Sequence, residues 1–415
     1  MFDICNKNIV ESRQGSNMRI SGFGFLIGGL YIFSGTLCVE EKVVVHIFVH
    51  GTRLPVLMAL SPLGIYRGTF DKESWYAQLL AVTRENTTQF DAQPMQERGL
   101  IEVTNETITS LYNQSVLSSL SRRAAVQVIG VYNTFVGGNK SVINKYYTFG
   151  WSGILDAEFR KKEASILYDE LINLRTRLKK EFPHKKFECI INAYSHGGNV
   201  ALNLAYWEIK NKRDLEVVYL ILYGTPIQQE TESYINSRAF KKILNIYAHN
   251  DSMQVRDSFS TKGWNKRRLV DNDGLKLCNG KSRYRVDICV SCKSQLKEFS
   301  HNSFFWLDRL SQNSKFSRLR PLPIVAFAPL IMQKVDNLVE KTGVKFIDFD
   351  VRSTENTCSL LLSANNVYAA TENLYKKLSA FRHLIDTTWR PYALGGFARN
   401  FSLVKTAASS MFSFF

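Results

Sequence analysis

Cysteine is sparse, with seven residues in 415 and no regular spacing. A disulfide-built scaffold is therefore excluded, and burial has to hold the fold. No internal repeat is present, which excludes a solenoid or a propeller. Acidic side chains are also in short supply: 37 Asp and Glu face 53 Lys and Arg, a formal charge of +16. That balance favours an anionic membrane surface or nucleic acid without choosing between them. No phosphate-cradling Gly-rich loop and no intact nucleic-acid-binding motif occurs, so neither a nucleotide cofactor nor a nucleic-acid partner is expected. What is present suffices for a sizeable core. Hydrophobic residues make up 45% of the chain and aromatics 12%, which argues against wholesale disorder.

Only near the N-terminus does charge vanish over a long run. Ile20 to Leu37 carries no charged residue and follows Met18-Arg19, the basic, apolar and small-residue order of an export signal. The rival is an uncleaved anchor, since the run reaches about 27 Å as a helix, although its five glycines weaken it. Residues 1–39 are thus expected to be a signal peptide or a membrane anchor, and the protein to be secreted or membrane-associated. Residues 1–38 hold three basic and two acidic side chains, so the body beyond them is still +15.

Beyond the leader, β-branched runs alternate with helical patterns. Lys42 to Val49 (KVVVHIFV) predicts a strand buried on both faces, ending at His50-Gly51. Ala124 to Val131 and Lys145 to Trp151 predict further strands, and residues 72–84 and 106–120 predict helices. Leu167, Leu171, Leu174, Leu178 and Phe182 share one face of a helix from Asp156 to Phe182, stopped by Pro183. Phe187 to Ala193, Glu216 to Tyr223 and Lys242 to Ala248 predict strands with loop residues at each exit. This alternation predicts an α/β fold, a mostly parallel central sheet with helices on both faces. Residues 256–298 are basic and polar, and are expected to be an irregular surface excursion. The domain is expected to span 40–315. A C-terminal extension of unknown role, 316–415, is expected to contain a strand near 344–351 and a helix around 368–385.

The sharpest chemical signal is a strand, then Ala193-Tyr194-Ser195-His196-Gly197, then a helix. A nucleophile on a tight strand-to-helix turn needs small residues two positions to either side, and Ala193 and Gly197 meet that need. The plainer reading of Ser195 is a helix cap. Through VVHIFVHGT, YSHGGNVALNLAY and VYLILYGTP the chain resembles the α/β-hydrolase superfamily, in particular its lipase-like branch. Ala193 departs mildly from the usual Gly.

The resemblance implies a Ser, acid, His order. It points to Ser195 as nucleophile, Asp251 as acid and His301 as base, with backbone N–H groups of Thr52 and His196 as the oxyanion hole. Asp257, Asp271 and Asp273 are alternative acids and His383 an alternative base; His46, His50, His184, His196 and His249 come too early. A competing zinc reading joins Cys278, Cys289, Cys292 and His301, and a disulfide among these cysteines is a further option. The preferred reading carries no metal and no cofactor. The expected function is a serine ester hydrolase acting on lipid or other acyl esters; the alternative is a non-catalytic binding or scaffold protein on a retained hydrolase fold. An anionic membrane surface, met by Lys266-Arg267-Arg268, is a candidate partner.

Overall fold

The computed structural model describes residues 41–52, 93–94, 98–110, 120–138, 141–256, 260–269, 283–291, 299, 301–305, 323–353 and 358–378. The uncharged run 20–37 and the helix expected at 72–84 lie outside them, as do Asp257, Asp271, Asp273, Cys278, Cys292 and His383. Among the described residues, no helix is long and apolar enough to cross a membrane.

A ten-stranded mixed sheet organises the chain. Its strands are β1 (Lys42–Val49), β2 (Gly99–Val103), β3 (Val142–Gly150), β4 (Lys186–Tyr194), β5 (Val217–Tyr223), β6 (Phe240–Tyr247), β7 (Tyr284–Ser291), β8 (Phe346–Ser353), β9 (Cys358–Ala364) and β10 (Val367–Ala370). They lie in the order β10-β9-β8-β7-β6-β5-β4-β1-β3-β2. Every pair from β3 across to β8 is parallel. Only the rims are antiparallel: β2 on one side, and on the other β9 with β10. That last hairpin turns through Asn365 and Asn366 at φ 49° and 64°, a left-handed pair that Asn tolerates better than most residues.

Period-two alternation explains why β1 is an interior strand, paired on both sides. Val43, Val45, Ile47 and Val49 enter one apolar core while Val44 and Phe48 enter the other. One core is closed by α1 (Leu120–Val136) and α5 (Ala328–Thr342), the other by α2 (Ala157–Glu181), α3 (His196–Leu202) and α4 (Leu204–Asn211). Helices therefore cover both faces. In α2, Leu167, Leu171, Leu174 and Leu178 are buried as their spacing predicts, and the Asp156 carboxylate caps the start by accepting from Glu158 N and Phe159 N.

Several expectations need correction. Ala124 to Val131 is not a strand but the middle of α1, because Val128, Ile129, Tyr132 and Phe135 also fall at helical spacing and a short apolar run cannot be typed by period alone. The stretch 256–298 is not wholly an irregular excursion. It contains β7, placed between β6 and β8, whose polar members Arg285 and Asp287 are buried too. Arg285 is tolerated there because its guanidinium donates to the carbonyls of Ile235, Ser237, Phe240, Lys241 and Tyr284. Beyond residue 315, the described part of the expected extension is built into the same sheet: β8 pairs in parallel with β7, and α5 packs on the core between them. Around 368–385 the described residues form β10 and a single helical turn, Leu374–Lys377, instead of one helix.

Candidate catalytic site

Register brings four strand exits into one row. Val49 lies beside Ala193, Tyr194 beside Tyr223, and Tyr223 beside Ile246. The segments leaving β1, β4, β5 and β6 are His50-Gly51-Thr52, Ser195-His196-Gly197, Gly224-Thr225 and Ala248 to Asp251. They emerge side by side at the carboxyl edge, where parallel sheets bind ligands.

Ser195 sits between β4 and α3 at φ 50° and ψ −129°. A non-glycine residue held there stores on the order of 1–3 kcal/mol of strain, so its surroundings must enforce it. Its amide donates to Tyr223 O at 2.9 Å, and its carbonyl accepts from Gly198 N at 2.9 Å. The small neighbours have a steric cause. A Cβ on Gly197 would stand 2.3 Å from His50 O, and one on Gly51 would stand 2.9 Å from Ser195 Cβ and 2.6 Å from the Tyr194 ring. Ala193 is fully buried.

The Ser195 hydroxyl lies 3.0 Å from His301 Nε2, and His301 Nδ1 lies 2.7 Å from Asp251 Oδ2. A carboxylate can only accept, so the ring proton belongs on Nδ1, and Nε2 accepts from the serine. Asp251 is wholly buried as a side chain and His301 nearly so, at 14% exposure. The second carboxylate oxygen accepts from Met253 N, and the Gln254 amide donates to Thr225 O, which ties the acid loop to the exit of β5. His301 opens a 3-10 turn, His301–Phe304, and Phe304 and the next residue, Phe305, are buried. Phe305 stacks on Tyr194 at 5.2 Å, and Tyr194 meets the His301 ring at 4.9 Å. The apolar residues after His301 thus hold the turn down.

Two supporting residues escaped sequence reasoning. Gly224 has φ 56°, and a Cβ there would stand 3.0 Å from His301 Nδ1 and 3.1 Å from Asp251 Oδ2, so the histidine–aspartate pair rests on its bare α-carbon. Its signal was the Gly-Thr-Pro that closes a buried strand. Gln93 accepts from Gly51 N through Oε1 at 2.8 Å, and a lone glutamine carries no sequence signal. His50 is a structural residue. Its Nδ1–H donates to Gly51 O at 2.6 Å, its Nε2 accepts from Trp151 N, and its own carbonyl accepts from the Trp151 indole.

The structure brings together Ser195, His301 and Asp251. Thr52 and His196 are both buried in the segments that flank the serine. His301 has both ring nitrogens engaged in this line, and Cys289 is a buried free thiol in β7; Cys278 and Cys292, the other members of the zinc reading, lie outside the described residues. Burial alone pushes the fully buried Cys189 thiol up to about 12, which suits packing and not reactivity. No family model, curated protein or solved structure matches the chain.

Proposed function

We propose that the protein is a lipase-like serine ester hydrolase of the α/β-hydrolase type, acting on lipid or other acyl esters. The observation that carries this reading is the hydrogen-bonded line from Asp251 through His301 to Ser195, with the serine on a strained strand-to-helix turn. A serine hydroxyl is a weak nucleophile near neutrality. As Oγ adds to the acyl carbon, its proton passes to His301 Nε2 and the carbonyl π pair moves onto oxygen. Asp251 keeps the proton on Nδ1 and stabilises the imidazolium. The oxyanion is met by the backbone N–H groups of Thr52 and His196, dipoles already fixed before the charge forms. Collapse expels the alcohol, which takes the proton from His301. Water then attacks the acyl-enzyme with His301 as base again, and collapse breaks the acyl–Oγ bond, releases the carboxylic acid and returns the proton from His301 to Ser195.

A fluorophosphonate probe tests the reading. Native protein should label, and Ser195→Ala should not, with ester hydrolysis falling on the order of 10³-fold or more while the fold is kept. Folded native protein that neither labels nor hydrolyses any of a panel of acyl esters refutes it. The proposed location, exported or held at a membrane, rests on residues 20–37, and full-length protein found soluble in the cytoplasm on fractionation would refute that part.

A further inference from the structure

Two buried hydrogen-bond donors around Gly51, the residue that lies against Ser195, have no acceptor among the described residues: Gln93 Nε2 and Thr52 Oγ1. Gln93 is fully buried and Thr52 is 6% exposed, so water does not satisfy them cheaply. A buried donor left unmade is destabilising by about 1–3 kcal/mol, which makes two of them at one place a feature that needs a cause. The orientation of the Gln93 amide is not in question. Its oxygen is fixed at 2.8 Å from Gly51 N, a group that can only donate, so the NH₂ end must be the unpartnered one. Gly51 in turn lies against the nucleophile, since a Cβ on it would stand 2.9 Å from Ser195 Cβ, and Thr52 is the next residue. The bond to Gln93 also occupies the Gly51 amide, which removes that N–H from the oxyanion loop.

We infer that the side chains of Gln93 and Thr52 complete the oxyanion hole, adding a carboxamide N–H and a hydroxyl to the two backbone donors. This inference rests on the serine-hydrolase reading. The acceptor both donors lack in the resting protein is then the oxygen that turns anionic when Ser195 adds to the ester. Their stabilisation is withheld from the folded ground state and delivered to the charged intermediate, which is where it accelerates the reaction. The predicted ligand class is a tetrahedral, singly negative adduct on Ser195 Oγ with one oxygen turned into the hole.

The test compares Thr52→Val, Thr52→Ser and Gln93→Glu with native protein in kcat, KM, inhibition by an alkyl boronic acid and thermal midpoint. The boronic acid probes the hole because its serine adduct carries an anionic oxygen. Thr52→Val keeps shape and the backbone N–H but deletes the hydroxyl; Gln93→Glu keeps the acceptor for Gly51 N but deletes the donor. Each should lower kcat on the order of 10²-fold and weaken boronate binding in parallel, with KM little changed. Thr52→Ser should restore most of the loss. Thr52→Val should melt no lower than native, because it removes an unsatisfied hydroxyl. If Gln93→Glu does not fold, Gln93→Met removes the same donor and carries the same expectation. Turnover and boronate affinity within about threefold of native, in either a folded Thr52 or a folded Gln93 variant, overturns the two-donor assignment. Fluorophosphonate labelling of native protein separates that result from failure of the serine-hydrolase reading itself.

Discussion

Acid should strike this protein through His46, a residue remote in role from the candidate site. His46 points from β1 into the core beneath α1, with Nδ1 2.9 Å from Tyr132 OH and Nε2 3.1 Å from Asn144 Oδ1. It stacks on Tyr146 at 5.1 Å. Because the Asn144 oxygen only accepts, the neutral ring carries its proton on Nε2 and accepts from Tyr132. Burial pushes its pKa down from 6.5 to about 4, opposed by the Asn144 bond and aided by the Lys42 charge. Since the folded value lies below the unfolded one, the unfolded chain binds a proton between these pH values that the folded chain does not. Stability is therefore whole above about pH 6.5 and falls as pH drops towards 4. A shift of that size corresponds to about 3 kcal/mol, with about half of it gone near pH 5.3. Urea unfolding at pH 7, 5.5 and 4 of native protein and His46→Gln would measure it, since the other carboxylate contributions cancel in the difference. The variant should be less stable at pH 7, and its deficit should shrink by about 3 kcal/mol at pH 4. A difference that stays constant within about 1 kcal/mol across this range would refute the reasoning.

Gly224→Ala forces a Cβ at φ 56° against His301 and Asp251, so kcat for an acyl ester should fall at least about tenfold while urea stability drops by only about 1 kcal/mol. Gly197→Ala places its Cβ against the His50 backbone carbonyl, which cannot swing away, and should destabilise by about 2–4 kcal/mol in the same assay. Asp336→Asn weakens the acceptor for Lys242 Nζ and the hydroxyls of Tyr219 and Tyr284, which join α5 to the amino ends of β5, β6 and β7. It should lower the thermal midpoint, by about 1–3 kcal/mol in stability terms, and leave esterase activity unchanged at 25 °C.

The strands that were legible announced themselves by burial on both faces. KVVVHIFV and VVYLILY leave no polar side to solvate, and such runs occur where helices cover a parallel sheet. Ser195 stood out by its small neighbours on a strand-to-helix turn, and the order that the resemblance implies then pointed to Asp251 and His301. What failed to show was of two kinds. In β7, Arg285 and Asp287 broke the apolar run, and only tertiary partners make their burial tolerable: backbone carbonyls for the arginine, and for the aspartate Asn245 Nδ2 and Leu269 N. In α1, the apolar face satisfied both periods, and packing of Phe135 on Phe327, far along the chain, decided for helix. Gln93 acts through position alone and no spacing marks it, while Gly224 is marked only by the Gly-Thr-Pro that closes β5.

The row of strand exits has a temporal meaning as well. β1 pairs with β4 from Lys42↔Lys186 onwards, so this pair cannot close until a long loop has been brought together. His301, the proposed base, arrives later still, on a turn beyond β7, and β7 itself is flanked by a strand from residues 346–353. Topologies dominated by such distant pairings fold slowly. A chain still emerging from the ribosome, or cut before residue 301, lacks the histidine that the proposed reaction needs. Recovery of fluorophosphonate labelling after dilution from denaturant should therefore lag behind recovery of secondary structure and mark one of the last events of folding.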